Sequence, residues 1–317
     1  MTQIIVGAVS SYPGVPSADW LWQQTPQPLG VWQKMQLQAK AEKPDFLLLY
    51  QYDFPSPPPP LTWKQRLRGQ KPPSPPDILS QLRGVPKDRI IYLMREPPLE
   101  EIIAKNQQNY TAAQEYCDYI TGPDDFAPNP GYMPAIWYYS GSFRELNDLG
   151  VPPKVRRCSW ITSGISRTEN HRRRLAFLRL LVDSDLELDV YGRDLPHWAR
   201  SPGSVKNKSH AIAPYYYNLA IENYAENDWY VSEKLWDALL GWSLPIYYGG
   251  PAADKLLPPG SFLRLPSQDE KGLAYIQEVT SSLDAWHEAK DAIAEARQII
   301  LHKLNLMAWL EDFVAKF

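Results

Sequence analysis

Short, continuous apolar runs alternate with polar stretches along this chain. Ile4 to Val9, Phe46 to Tyr50 and Ile90 to Met94 each end in turn-forming residues, the pattern of strands buried on both faces of a parallel sheet. Tyr116 to Thr121 is read as a further strand. Met35 to Ala41 is expected to be a helix between the first two, so the first half alternates strand and helix. In the second half Arg157 to Ser163, Leu188 to Arg193, Tyr215 to Ile221 and Leu244 to Tyr248 are predicted strands, and His171 to Val182 a helix. Ser232 opens another helix, whose Leu235, Trp236, Leu239 and Leu240 form one apolar stripe and which Gly241 stops. After Leu265 the chain turns helical, with Ile300, Leu304, Met307, Glu311 and Val314 on one face and Leu310 and Phe317 beside it. That face is expected to pack on the body of the protein. A membrane-surface helix is the alternative, although the polar side mixes acidic and basic residues.

Strand, helix, strand units of this kind build α/β folds on parallel sheets, with ligands at the carboxyl ends of the strands. The 317 residues suit two domains of about 150 each. The proline-bearing segment from Asp148 to Lys154 is where a boundary fits. The expected division is 1–150, 151–295, and a terminal helix over 296–317 that packs back on the body.

The residues at those strand ends bear on chemistry. Glu222 and Asn223 close one strand, and Tyr230, Glu233 and Lys234 flank the following helix start. A lysine in the first helical turn opposes the helix dipole by a few tenths to about 1 kcal/mol, and an anion seated on the free N–H groups reverses that sign. Lys234 therefore points to a phosphate, and the Glu233 carboxylate to a pair of sugar hydroxyls. The competing reading is an acidic residue favoured by the dipole and an ordinary Lys234–Asp237 surface pair.

Resemblance adds to this. The runs Leu219-Ala-Ile-Glu-Asn223, Trp229-Tyr-Val-Ser-Glu-Lys-Leu-Trp236, Leu244-Pro-Ile-Tyr-Tyr-Gly-Gly-Pro251 and Leu257-Pro-Pro-Gly-Ser-Phe262 resemble, in order and spacing, the donor-binding signature of the α-1,3/1,4-fucosyltransferase family. Ile221, Ser232 and Tyr224 depart from the family's usual Phe, Thr and Ser or Thr, changes that bear on packing. Leu93-Met-Arg-Glu-Pro-Pro98 resembles the segment carrying that family's general base, with Pro97 where Ser is usual. Arg174-Leu-Ala-Phe177 with Leu181, and Leu188-Asp-Val-Tyr-Gly-Arg193, match two further segments.

The resemblance implies an α/β protein of two Rossmann-like domains of the GT-B type facing across a cleft, the first for a glycan acceptor and the second for the donor. It also implies an inverting α-1,3-fucosyltransferase that uses GDP-fucose as donor substrate without an obligatory cofactor. By the same match Glu96 is the base, Arg174 and Lys234 hold the diphosphate, and Glu233 takes the ribose. Asn223 and Tyr230 position the donor, Arg193 is a further phosphate contact, and Glu222 lies near the fucose. A transferase of another nucleotide sugar, a non-catalytic nucleotide-sugar or glycan-binding protein, and a scaffold acting through its proline tracts are the other readings.

Composition narrows the choice. A net charge of −3 gives no bulk attraction to nucleic acid or an anionic surface, so an anion must be held locally. Cys117 and Cys158 are too few for a disulfide framework and are expected to be buried thiols. The five histidines show no ligand spacing, and no metal site is expected. Asp183-Ser-Asp185 is read as a cap or turn. No apolar run spans a bilayer and the N-terminus lacks a signal pattern, so a soluble, cytoplasmic protein without an integral membrane segment is expected; Asn109 and Asn207 then match glycosylation acceptors by chance. Proline tracts over 54–76 flank Lys64, Arg66 and Arg68 and are expected to form a stiff surface loop. Asp124 and Asp125 are turn-formers with acceptor contact as the alternative, and Trp137, Tyr138 and Tyr139 are assigned to packing.

Overall fold

The computed structural model describes residues 3–12, 19–55 and 77–317. The proline tracts from Ser56 to Pro76, with Lys64, Arg66 and Arg68, lie outside the described residues. The first sheet contains β1 (Ile4–Ser10), β2 (Val31–Trp32), β3 (Met35–Leu37), β4 (Phe46–Tyr50), β5 (Ile90–Leu93), β6 (Tyr119–Gly122) and β7 (Asn129–Pro130) in the order β2-β3-β1-β4-β5-β6-β7. All its pairings are parallel except β2 with β3. The second contains β8 (Arg156–Ser163), β9 (Leu188–Arg193), β10 (Tyr215–Ile221), β11 (Leu244–Tyr248) and β12 (Leu263–Arg264) in the order β12-β11-β10-β8-β9, parallel throughout. Two such sheets, each flanked by helices, are the α/β architecture expected from the chain's pattern.

The alternation of side chains builds the core. Along β4, Phe46, Leu48 and Tyr50 enter the large core that runs through both sheets, while Leu47 and Leu49 enter a smaller core on the opposite face. β5 divides in the same way, with Ile91 and Leu93 on one side and Ile90 and Tyr92 on the other. A strand buried on both faces loses its polar positions and reads as one apolar run.

Two expectations fail locally. Met35 to Ala41 is not a helix: Met35, Leu37 and Ala39 are buried at period two, and Ile4, Ile5 and Val6 pair with Met35, Gln36 and Leu37. Two-residue spacing of apolar side chains is the strand signal, and here it overrides helix propensity. The strand placed at Tyr116 begins at Tyr119, because α1 (Ile103–Tyr116) runs up to that tyrosine, whose ring stacks on Phe54 at 5.8 Å.

Helices α2 (Phe143–Asp148), α3 (Glu169–Val182) and α4 (Glu233–Leu240) follow, then α5 (Glu270–Thr280), α6 (Asp284–Ile299) and α7 (Leu306–Val314). The terminal segment is not one continuous helix. After a π-helical turn at Ile300–Leu304, the extended backbone of Asn305 interrupts it, and that residue's side chain caps Met307 and donates to the Gln24 carbonyl. The break lets Ala135 bridge to Asn305 and lets α7 lie on the first sheet, where Phe313 meets Phe46 and Tyr119 edge-on or tilted. Glu311, the polar member of the apolar face, accepts from the Trp32 indole and from Gln33. Buried Arg297 on α6 donates to the carbonyls of Leu240, Leu146 and Leu149. It thereby ties the end of α4 to the segment that joins the two sheets.

Among the described residues no helix is long and apolar enough to cross a membrane. Asp183 caps the end of α3 and pairs with Arg179. Cys117 and Cys158 are buried and free. Burial pushes the Cys117 thiol up to about 12 and raises that of Cys158 as well. Thiolate is the reactive form, so neither cysteine should react with a thiol reagent such as DTNB in the native protein, and both should react once denaturant unfolds it. A rapid native reaction at either position contradicts this packing.

Candidate active site

Strand order places the site. In the second sheet the chain leaves β8 toward β9 on one side and returns through β10 and β11 on the other, so the sheet has a switch point between β8 and β10. A ligand crevice is expected outside the carboxyl ends there. A cavity of about 780 Å³ lies at that place, lined by Ile161, Thr162 and Ser163 from β8, Gly192 and Arg193 from β9, and Asn218 and Leu219 from β10. Arg174, Asn223, Glu233 and Lys234 complete it, with Tyr138, Lys206, Lys208 and Asp237 on its walls. Gly192 has φ +155, and a Cβ there would meet the Thr162 carbonyl oxygen at 1.6 Å. Glycine is thus required for β9 to turn away at the cavity rim.

Of the expected donor residues, Arg174, Asn223, Glu233, Lys234 and Arg193 face this cavity together. Arg174 projects from α3, a helix opened by a capping box between Thr168 and His171. Its guanidinium donates to Asn223 Oδ1 at 2.6 Å and to the carbonyls of Ser163 and Ile165, while its Nε has no partner. The side chain is 4% exposed and meets only neutral acceptors. Burial pulls its pKa down to about 10, which leaves it charged at neutral pH and uncompensated. A bound anion would supply the charge partner that the protein does not.

Lys234 is held by a neighbour that the cavity does not expose. Glu222 is 2% exposed. It accepts from the Ser232 amide at 2.8 Å, the Ser232 hydroxyl at 2.6 Å and Lys234 Nζ at 3.2 Å. Expected beside the fucose, Glu222 instead spends both oxygens on protein donors and fixes Lys234 at the mouth of α4. Burial opposes the Lys234 charge, and Glu222 and Glu233 more than offset it, so the pKa is raised. Tyr230 also lies behind the cavity wall, 8% exposed, with its ring edge-on to Tyr224. Its phenol stays protonated because burial and the nearby Glu222, Glu233 and Glu96 all disfavour the phenolate.

Glu233 heads α4. Burial would raise its pKa, but Lys234, Lys208 and Arg95 hold it well below the usual carboxylate range. The Lys234–Asp237 surface pair does not form. Asp237 is buried, accepts from the Tyr138 and Tyr139 amides at 2.8 Å each, and pairs with Lys208 at 2.5 Å.

The first sheet has its own switch point, between β1 and β4. Glu96 lies just past β5, beside that edge. Its backbone N–H and that of Arg95 both donate to Gln51 Oε1, at 3.0 and 2.8 Å, and its carboxylate accepts from the Tyr12 hydroxyl. Arg95 reaches from there to Glu233 at 3.2 Å, so the carboxyl edges of the two sheets meet across the cleft. Asp124 is buried and accepts from the Tyr110 hydroxyl and the Phe126 amide, whereas Asp125 accepts from the Trp229 indole. These are structural bonds across and within the halves. Trp137 and Tyr139 are core residues, and Tyr138 is 42% exposed at the cavity wall.

The sequence reading missed Arg95, Lys208 and Thr162. Arg95 adjoins the matched Glu96 and carried a signal only in that neighbourhood. Lys208 sits in a polar loop with no local pattern. Thr162 Oγ1 is buried without a partner at the cavity edge, which only the folded strand reveals. Among the described residues no three His, Cys, Asp or Glu side chains are grouped to hold a metal ion.

Comparison with known proteins bears on this half of the chain. Residues 151–288 match the model of the glycosyltransferase family 10 (fucosyltransferase) C-terminal domain. GDP-fucose protein O-fucosyltransferase 3 of Xenopus tropicalis is 37% identical over 81 residues, 25% of this chain and 17% of the relative. Alpha-(1,3)-fucosyltransferase 4 of Mus musculus is 28% identical over 170 residues, 51% of this chain and 35% of the relative. The matched stretch thus spans little more than a third of these relatives at most. Among solved structures, an alpha1,3-fucosyltransferase with GDP aligns at 17% identity and a TM-score of 0.49, covering 95% of this chain and 91% of that one.

If the cavity takes a diphosphate, Lys234→Met removes a charge-assisted contact worth about 1.5 to 3 kcal/mol and weakens GDP binding about 10- to 100-fold. Calorimetric titration checks this; unchanged affinity takes Lys234 out of the anion site.

Proposed function

We propose that this chain, whose residues 151–288 match the glycosyltransferase family 10 (fucosyltransferase) C-terminal model, is an inverting fucosyltransferase that takes L-fucose from GDP-fucose. One observation carries the reading: Arg174, buried without an acidic partner, shares a cavity at the sheet's switch point with Lys234 at the start of α4. Two cations at the positive end of a helix dipole suit the twin charges of a nucleoside diphosphate. Glu233 accepts the ribose hydroxyls, Asn223 orients Arg174, and Arg193 stands at the rim. Tyr230 and Glu222 support the donor side from behind the wall.

In the reaction an acceptor hydroxyl oxygen attacks the anomeric carbon of the fucose from the face opposite the diphosphate. The new C–O bond forms as the bond to the phosphate oxygen breaks. That electron pair leaves on GDP, where Arg174, Lys234 and the positive end of the α4 dipole stabilise it, so no obligatory metal is required. The hydroxyl proton passes to Glu96, the general base on the first domain. In this reading residues 1–150 hold the acceptor, 151–295 the donor, and 296–317 join the two.

The acceptor is a glycan hydroxyl, with an α-1,3 linkage as the product. A second reading, a protein hydroxyl as acceptor, is favoured by the protein O-fucosyltransferases among the relatives. Transfer assays on both acceptor classes separate them.

Glu96→Gln should lower kcat by about 10² to 10⁴-fold, the usual worth of a positioned base, and leave GDP affinity unchanged. A Gln variant that transfers fucose at the parent rate removes Glu96 from the mechanism.

A further inference from the structure

Arg95 has no place in the chemistry described above, yet it is one of the side chains through which the two halves meet. Among the described residues its pair with Glu233 is the sole ion pair joining an element of the first sheet to one of the second. Its side chain is 13% exposed and that of Glu233 is 23% exposed, so water screens the pair weakly. The other arm of the guanidinium donates to the Tyr50 hydroxyl at 2.5 Å, and the group lies over the Tyr138 ring at 5.4 Å.

Tyr50 packs against Tyr12 with ring centroids 6.1 Å apart, and Tyr12 donates to the Glu96 carboxylate. The backbone closes the same loop, since Gln51 Oε1 accepts from the amides of both Arg95 and Glu96. A continuous chain of contacts therefore runs from Glu233 through Arg95, Tyr50 and Tyr12 to Glu96.

We propose that Arg95 is a positioning residue that couples occupation of the nucleotide cavity to the placement of Glu96. Glu233 lines that cavity with one oxygen 3.2 Å from Arg95 and the other 3.8 Å from Lys234. A carboxylate has lone pairs enough to keep Arg95 while it accepts a sugar hydroxyl. A nucleotide bound there fixes the Glu233 rotamer, and with it the guanidinium and the turn bearing Glu96. Attack by the acceptor is then aligned only when donor is present. The inference rests on the donor-pocket reading given above.

Hydrogen exchange with saturating GDP tests it without turnover. In the parent protein GDP should slow exchange in residues 230–240 and also in 93–99, the latter by about 5-fold or more, the low end of typical site coupling. In Arg95→Met protection should persist at 230–240 and vanish at 93–99. In transfer assays the same variant should lose kcat on the order of 10²-fold, as for a misplaced catalytic group. Its donor KM should change by less than about 3-fold, since Arg95 does not line the cavity and Glu233 keeps Lys234 beside it. Arg95→Lys should recover part of kcat.

Protection at 230–240 with none at 93–99 in the parent overturns the coupling and leaves the donor pocket standing, as does an Arg95→Met protein that still transmits protection or keeps its kcat. Absence of protection at both segments refutes the donor pocket and the coupling with it. Should Arg95→Met not fold, the parent's exchange pattern and Arg95→Lys still decide.

Discussion

A buried carboxylate governs the site. Glu222 closes β10 with 2% exposure, and an ionised group so placed costs several kcal/mol unless its lone pairs are filled. Three donors fill them: the Ser232 amide, the Ser232 hydroxyl and Lys234 Nζ. The consequence is geometric. The strand end, the cap of α4 and its first-turn lysine become one unit, and a side chain that opposes the helix dipole is held where an anion gives it a partner. Loss of Glu222 would free Lys234 and leave Ser232 without its acceptor, so the carboxylate shapes the pocket although no ligand needs to touch it.

The two sheets extend this constraint into a cleft. Each reverses strand direction of progress once, between β1 and β4 and between β8 and β10, and each leaves a crevice at its carboxyl edge. The interrupted terminal helix and Arg297 lock the rear of the halves together through Asn305, Ala135 and the Leu146 and Leu149 carbonyls. At the front the contact is polar: Arg95 with Glu233, and Trp229 with Asp125. Cations gather on the second half around the cavity, and the carboxylate of Glu96 stands on the first. That division of charge is what the proposed transfer from an anionic leaving group to a hydroxyl would use.

Much of this was legible in the chain because buried parallel strands read as unbroken apolar runs, and Ser232, Gly241 and the stripe between them mark one helix without ambiguity. Asn223, Glu233 and Lys234 could be named because each lies at a strand end or helix start, whereas Arg174, inside α3, was named only through the family match. Glu222 was expected near the fucose, and its inward turn onto Ser232 and Lys234 was not legible, since sequence shows which residue ends a strand and not where its side chain points. Met35 to Ala41 misled because its period-two burial is short and its residues favour helices, and tertiary pairing with β1 decided the outcome. Asn305 and Arg95 act through partners more than a hundred positions away, Gln24 and Glu233, and no local pattern announces such pairings.

The central claim is that cationic side chains of the second half neutralise a nucleoside diphosphate. Calorimetric comparison of GDP with GMP in the presence of a chelator tests it most directly. The account predicts one saturable site and at least about 10²-fold tighter binding of GDP, since the second phosphate adds charge-assisted bonds to Arg174 and Lys234. Equal affinities, no heat with GDP, or binding that returns only with added divalent metal would contradict it.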